Sequence, residues 1–304
     1  MIILKFGGTS VAEPSRIKHI GELLQARVDQ GESISIVCSA FSKVTDSLIE
    51  MGTVAANGNE DYLNIHEQFV SRHNDALKEL VDVDAYQAAY DQLQKNHETL
   101  KQLLRGVFLV REVSLRTMDY ILSFGERNSC FIIAEYFKQA GLNAAFLDAR
   151  NIIKTDKSFG SALVNFPVTN EKVKEYLLKD PKTIQVITGF VSSDMGGLTT
   201  TLGRGGSDYT AAIVAAAVGA EKLEIWTDVD GVLTCDPRKV AKAYTVESLS
   251  YNEAMELSHF GAKVIYPPTI QPALAKEIPI YIRNTFNPDF EGTRISKESD
   301  QSRA

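Results

Sequence analysis

At 304 residues, 44% hydrophobic and 23% charged, the chain has the make-up of an ordinary globular protein large enough for one big core or two lobes, so disorder is not the default. A formal net charge of -7 argues against the basic surface of a nucleic-acid binder and suits a small-molecule enzyme. No run approaches membrane-spanning length, so neither nucleic acid nor membrane is an expected partner. The cysteines Cys38, Cys130 and Cys235 are far apart and in no metal-ligand spacing, which fits a reducing, cytoplasmic setting with all three as small core residues. MIILKFGG is apolar for only a few residues before glycine, so no signal peptide is read there.

Ile2 to Phe6 is a buried-strand pattern that ends on Gly7-Gly8. Pro14 opens a helix with Ile17, Ile20, Leu23, Leu24 and Val28 on one face, and Gly31 closes it. Ser33 to Ala40 is a second strand, and Ser39 near its end leads with Ser42 and Thr45 into the next helix. This β-α-β order predicts an α/β protein with a parallel sheet. From Lys43 to Ala140 the pattern is helical, with breaks expected near Asn57-Gly58, Val81 to Asp84, Arg105-Gly106 and Phe124-Gly125. Most charges on these amphipathic stretches read as a solvated face, and His19, His66, His73 and His97 have no partner at metal-ligand spacing.

Ala144 to Leu147 and Ile184 to Thr188 read as further strands, and Gly189 to Leu202 as a hairpin around Asp194 to Gly197. After an alanine-rich helix come a strand over Lys222 to Trp226, an acid-dense turn ending at Arg238, a helix over Asn252 to Phe260 and a last strand over Ile278 to Ile282. No repeat or low-complexity linker appears, so a boundary near Gly219 would be a hinge within one sheet.

The stretch from Thr199 to Ala220 joins a hydroxyl-rich strand to Gly203, Gly205 and Gly206, and then to a helix opened by Ser207 and Asp208. Backbone amides at such a corner face an anion, and Arg204 adds a planar fork for a carboxylate or phosphate. Asp208 beside an anion site requires a cation. Lys5, before Gly7-Gly8 on the first strand, is one candidate. GxxxxGK[ST] and GxGxxG after a strand are both absent, so phosphate recognition would rest on these two glycine corners.

KFGGTSV from Lys5, FGERNS from Phe124, TTTLGRGGSDYTA from Thr199, WTDVDGV from Trp226, CDPR from Cys235 and FGAKV from Phe260 together resemble the catalytic domain of aspartate kinase. The resemblance runs in matching order from Ile3 to about Ser296, and extends to the kinase portion of the bifunctional aspartate kinase–homoserine dehydrogenases. It implies the amino-acid kinase fold, three layers α/β/α around a mainly parallel sheet of about eight strands. Residues 1–219 would form an aspartate-binding lobe and residues 220–304 an ATP-binding lobe. It implies transfer of the ATP γ-phosphoryl to L-aspartate, giving 4-phospho-L-aspartate at the entry to lysine, threonine and methionine synthesis.

By motif position, Arg204 would hold the α-carboxylate, Glu126 the ammonium, and Ser39, Thr45 and Ser207 would offer hydroxyls, with Phe190 walling the pocket. Lys5 would stabilise the moving phosphoryl, and Asp208 would hold Lys5 or orient the reacting groups. Gly7, Gly8, Thr227, Asp228, Arg238 and Lys263 would serve the nucleotide, with Mg2+ carried on the ATP and no protein metal ligand implied. Plainer readings make Glu126 a helix N-terminal carboxylate, Asp236 and Arg238 a surface ion pair, and Ser39 and Thr45 helix caps.

Leu233 and Tyr266 depart from the family pattern, where a tyrosine and a histidine are common. Relatives continue into paired ACT domains, so the expectation is either a portion of a longer parent that could also carry homoserine dehydrogenase and form a homodimer, or an unregulated kinase, with the former preferred. Acetylglutamate, glutamate 5- and uridylate kinases are rivals within the fold, and a non-catalytic binding module is a rival outside it.

Overall fold

The computed structural model describes residues 1–235, 240, 242–259 and 266–297. β1 (Ile2–Phe6), α1 (Pro14–Asp29) and β2 (Ile34–Cys38) form the opening β-α-β unit. A helical block follows: α2 (Val44–Ala56), α3 (Tyr62–Leu80), α4 (Val83–Val110) and α5 (Leu115–Gln139). Next come β3 (Ala144–Leu147), β4 (Lys154–Thr155), α6 (Phe166–Lys179), β5 (Ile184–Thr188), β6 (Val191–Asp194) and β7 (Thr199–Thr201). The chain then forms α7 (Gly206–Val218), β8 (Lys222–Thr227), β9 (Ser248–Ser250), α8 (Tyr251–His259), α9 (Pro267–Leu274), β10 (Ile280–Asn284) and β11 (Thr293–Ser296).

Among the described residues the main sheet has eight strands in the order β3-β5-β2-β1-β8-β10-β11-β9, and β4-β6-β7 form a small second sheet. Every neighbouring pair in the main sheet is parallel except β10 with β11. Its faces are covered separately. Leu4 and Phe6 of β1 join Ile17, Ile20 and Leu24 of α1 and the apolar sides of α2 to α5. Ile3, Val37 and Ile225 face α6, α7 and α9 on the other side. This is the expected three-layer α/β/α arrangement with a mainly parallel sheet.

Two expected helix breaks are absent. Arg105-Gly106 lies inside α4 and Phe124-Gly125 inside α5, since a lone glycine costs a helix only about 1 kcal/mol. At Gly125 the glycine is needed for packing, because a Cβ there would stand 2.9 Å from the Cβ of Ala40. The last strand is β11 rather than β10, and β4, α6, β9 and α9 add to the predicted elements. The 189–202 hairpin forms as expected, closed by Leu198 N–H donating to Asp194 Oδ1 at 2.7 Å.

A buried carboxylate pins the first helix to the sheet. Glu224 on β8 is fully buried and receives both Arg27 Nη groups at 2.7 and 2.8 Å, Lys222 Nζ at 3.0 Å and Trp226 Nε1 at 3.0 Å. Burial alone would raise its pKa, but the Arg27 fork and Lys222 outweigh burial and hold it below the usual carboxylate range.

Candidate active site

Four strands end at one level. The register pairs Phe6 with Cys38 and with Trp226, and Cys38 with Thr188. The chain continues this stitching past the strands: Gly7 N–H donates to Trp226 O at 3.2 Å, Ser39 N–H to Phe6 O at 3.2 Å, and Gly189 N–H to Cys38 O at 2.9 Å. The corners after β8, β1, β2 and β5 thus form one rim at the carboxyl edge, where β1 separates two halves of the sheet and open α/β sheets bind ligands. Gly8 is required at this rim, since a Cβ would come 3.0 Å from the Ala40 carbonyl oxygen.

Lys5 points to the same side of β1 as Ile3, towards α7. Its Nζ stands 2.7 Å from Asp208 Oδ1, with both side chains largely buried. Asp208 lies in the first turn of α7, whose start at Gly205 (φ +70) carries no side-chain cap. The helix therefore presents unpaired amides beside a cation and a carboxylate, an arrangement that draws phosphate oxygens. Ser39 Oγ donates to Ser207 Oγ at 3.0 Å across the same gap. A Cβ at Gly189 would stand 2.5 Å from Ser207 Oγ, so this approach needs glycine.

Phe190 occupies left-handed backbone at φ +66, a conformation that costs a bulky residue on the order of 1 kcal/mol or more. It is held there by its N–H donating to Thr210 Oγ1 at 3.0 Å and by its carbonyl accepting Leu202 N–H at 2.9 Å. The ring leans on Gly206, where a Cβ would meet it at 2.7 Å.

Glu126 sits in the middle of α5, not at a helix N-terminus, so the dipole-balancing reading falls. Its side chain is 3% exposed, it accepts a hydrogen bond from the Ala40 amide, and Oε2 has no partner. Burial pushes its pKa up to about 8, offset in part by the Ala40 N–H. Beside it, Ser129 Oγ donates to Ser39 O at 2.9 Å, so α5 holds the β2 corner at two points. Thr45 lies half-buried in the first turn of α2, whose cap position is Lys43, so neither Ser39 nor Thr45 is the cap of that helix.

Arg204 is exposed and its guanidinium lies over the Tyr266 ring, 5.2 Å from the centroid. Lys5 and Arg204 are thus held by different partners, Lys5 by Asp208 and Arg204 by the aromatic ring that begins α9. Thr227 and Asp228 follow the end of β8, with Thr227 Oγ1 donating to Asp228 Oδ1 at 3.3 Å. Arg238 and Lys263 lie outside the described residues, as does Asp236.

Arg72 was not singled out by sequence, where it reads as one charge on an amphipathic helix. From α3 its Nη1 donates to Ser42 O at 2.7 Å and its Nη2 to Ala12 O at 3.3 Å, tying the loop after β1 to the loop after β2. The latter loop turns at Lys43 with φ +68, which explains the need for a clamp. Among the described residues no group of three His, Cys, Asp or Glu side chains stands together in a way that could hold a metal.

Residues 1–284 match the Amino acid kinase family. Aspartokinase 1, chloroplastic, of Arabidopsis thaliana is 36% identical over 310 residues, covering 99% of this chain and 53% of the relative. Bifunctional aspartokinase/homoserine dehydrogenase 2, chloroplastic, of Zea mays is 34% identical over 295 residues, covering 97% of this chain and 32% of the relative. The chain therefore spans about a third to a half of the length of these curated relatives. Among solved structures, E. coli aspartokinase III in complex with aspartate and ADP superposes with a TM-score of 0.89 at 29% identity, covering 99% of this chain and 65% of that one. Clostridium acetobutylicum aspartate kinase superposes at 0.80 and 32% identity, covering 100% and 64%. With the three-layer fold, the rim of glycine corners and a family match across nearly the whole chain in agreement, the protein belongs to the amino acid kinase family.

Proposed function

We propose that the chain is an aspartate kinase catalytic domain. The observation that carries this reading is the Lys5–Asp208 pair at 2.7 Å at the end of β1, with Glu126, one oxygen unpaired, bonded to the Ala40 amide after β2. An acceptor with two carboxylates and an ammonium needs a cationic fork, a carboxylate and neutral donors, and on this reading Arg204, Glu126, Ser39, Thr45 and Ser207 fill those roles. A side-chain carboxylate oxygen of aspartate attacks the γ-phosphorus, the bond from that phosphorus to the β–γ bridging oxygen breaks, and ADP leaves. Lys5 neutralises charge on the moving phosphoryl, while Asp208 fixes the lysine amine at the end of β1. The amides of the α7 start and the Gly7-Gly8 corner receive phosphate oxygens.

Phe190 walls the acceptor pocket, and Thr227, Asp228, Arg238 and Lys263 serve the nucleotide. Mg2+ enters on the nucleotide phosphates, whose oxygens and waters are its natural ligands. Residues 1–219 form the acceptor lobe and residues 220–304 the nucleotide lobe. The named relatives support the choice of aspartate, since the superposed E. coli enzyme binds aspartate and ADP.

A cytoplasmic setting agrees with three free cysteines, and among the described residues no helix is long and apolar enough to cross a membrane. A homodimer and a longer parent carrying ACT and homoserine dehydrogenase portions complete the proposal. An ADP-release assay with ATP and Mg2+ across aspartate, N-acetylglutamate, glutamate and UMP tests it. Aspartate alone should support turnover, and release with another acceptor, or nucleotide binding with no acceptor-dependent release, would overturn it.

A further inference from the structure

Helix α5 carries two buried carboxylates seven residues apart, Asp119 and Glu126. Seven residues are about two turns, so they project from one face of the helix. Their surroundings differ. Glu126 has one oxygen without a partner. Asp119, 1% exposed, has both oxygens occupied: Oδ1 accepts Thr201 Oγ1 at 2.7 Å, Oδ2 accepts Thr201 N–H at 3.1 Å, and Gly160 N–H lies 3.1 and 3.0 Å from the two. Its partners are amides and a hydroxyl, donors that a fixed carboxylate satisfies without a counter-ion.

Those donors belong to the root of the Arg204 corner. Thr201 ends β7, its carbonyl accepts Ala162 N–H at 2.9 Å, and the next residue, Leu202, donates its N–H to Phe190 O. Gly203 follows at φ +74 and is so close to the 160–161 loop that a Cβ would stand 3.0 Å from Ser161 Oγ and 3.2 Å from Gly160 O. Asp119 therefore binds two loops at the point where they touch, and the chain beyond that point carries Arg204, Ser207 and Asp208.

We infer that Asp119 is a positioning residue: it sets the Gly203–Gly206 corner at a fixed distance from α5, and so spaces Arg204 and Phe190 from Glu126 across the acceptor pocket. This inference rests on the proposed acceptor site. It assigns the two carboxylates of α5 different work. The satisfied one holds backbone, and the half-satisfied one is left for the ligand.

The test is steady-state kinetics of Asp119→Asn, Thr201→Val, Arg204→Ala and the double variant Asp119→Asn/Arg204→Ala, each checked for an unchanged circular dichroism spectrum. Asp119→Asn keeps the shape but turns an amide group against N–H donors. It should raise KM for aspartate about tenfold and leave KM for ATP within about twofold. Thr201→Val, which removes one hydroxyl bond, should move KM for aspartate the same way by about threefold, and it carries the test if the Asn variant does not fold. The double variant should lose less aspartate affinity than the product of the two single losses, since Asp119 acts in part through Arg204.

Equal rises in both KM values, an unchanged KM for aspartate, or full additivity in the double variant would overturn the inference. If Arg204→Ala alone leaves KM for aspartate unchanged, the acceptor-site reading fails, and with it the route assigned to Asp119.

Discussion

Glu126 shows how burial sets chemistry at a single residue. Its carboxyl is enclosed with only backbone amides as donors, those of Ala40 and of Glu126 itself, and burial raises its pKa to about 8, which keeps it neutral at pH 7. An entering ammonium is the cation it lacks, so aspartate binding at pH 7 should release close to one proton. Calorimetry in buffers of different ionisation enthalpy measures this directly. The binding enthalpy should change with buffer for the native chain and not for Glu126→Gln, and a buffer-independent native enthalpy would contradict the assignment. The same shift has a stability consequence. The unfolded carboxyl loses its proton above about pH 4.5 while the native one keeps it to about 8, so this group's contribution to stability falls as pH rises across that window.

Residue-scale legibility was uneven for the same physical reason. Lys5, Asp208 and Ser207 stand next to glycines whose need for close backbone approach leaves a local mark. Arg72, Asp119 and the Arg204–Tyr266 contact leave none, because each acts on a loop distant in sequence.

At the scale of elements, α5 is the helix on which the proposed acceptor side rests. Gly125 lets Ala40 and the β2 corner approach it, and local sequence rules, which read glycine as a breaker, could not anticipate that use. Gly125→Val should cost about 1–3 kcal/mol in urea unfolding from overpacking. It should also weaken aspartate binding more than ATP binding, because the displaced segment carries Ser39 and the Ala40 amide. Equal stability to the native chain would contradict the packing argument.

Helices α3 and α4 hold three buried histidines that sequence spacing left unconnected. His73 stacks on Phe41 with centroids 5.2 Å apart and lies 6.0 Å from His97, while the His66 ring bonds the His97 carbonyl at 3.1 Å. Burial lowers His73 to about 4, against the raising Phe69 carbonyl and with nearby Arg72 lowering it further. Burial, with His73 and His66 beside it, lowers His97 to about 3. His66 is lowered as well, chiefly by burial, with Lys101 lowering and Glu98 and Glu67 raising it.

Unfolded imidazoles take up protons below about pH 6.5 and these native ones do not, so their contribution is intact above 6.5 and lost as pH falls towards 4 and 3. Three histidines outweigh the opposite pull of Glu126 over this range, so the urea midpoint should fall between pH 7 and pH 5. His97→Leu should reduce that fall, and an unchanged pH dependence in the variant would contradict the cluster's role.

For the whole molecule, the parallel sheet and its helical layers were legible from apolar runs punctuated by glycine and from the amphipathic period of the helices. The strands that carried this reading, β1, β2, β5 and β8, are five or six residues long and largely buried. Those missed are short, such as β4 with two residues and β9 with three, and owe their existence to pairing partners far along the chain. The rim of four strand ends is likewise a product of register, which no single segment reveals.

On the proposed reading, that rim makes Lys5 the point where fold and chemistry meet: its backbone pairs with Val37 and Ile225 on either side, and its amine reaches Asp208. Turnover of Lys5→Ala at saturating ATP and aspartate is therefore the most direct measurement. A fall in kcat of about 10²–10³, with folding and KM for aspartate little changed, is the predicted result. Turnover at the native rate would contradict the placement of the moving phosphoryl beside the Lys5–Asp208 pair.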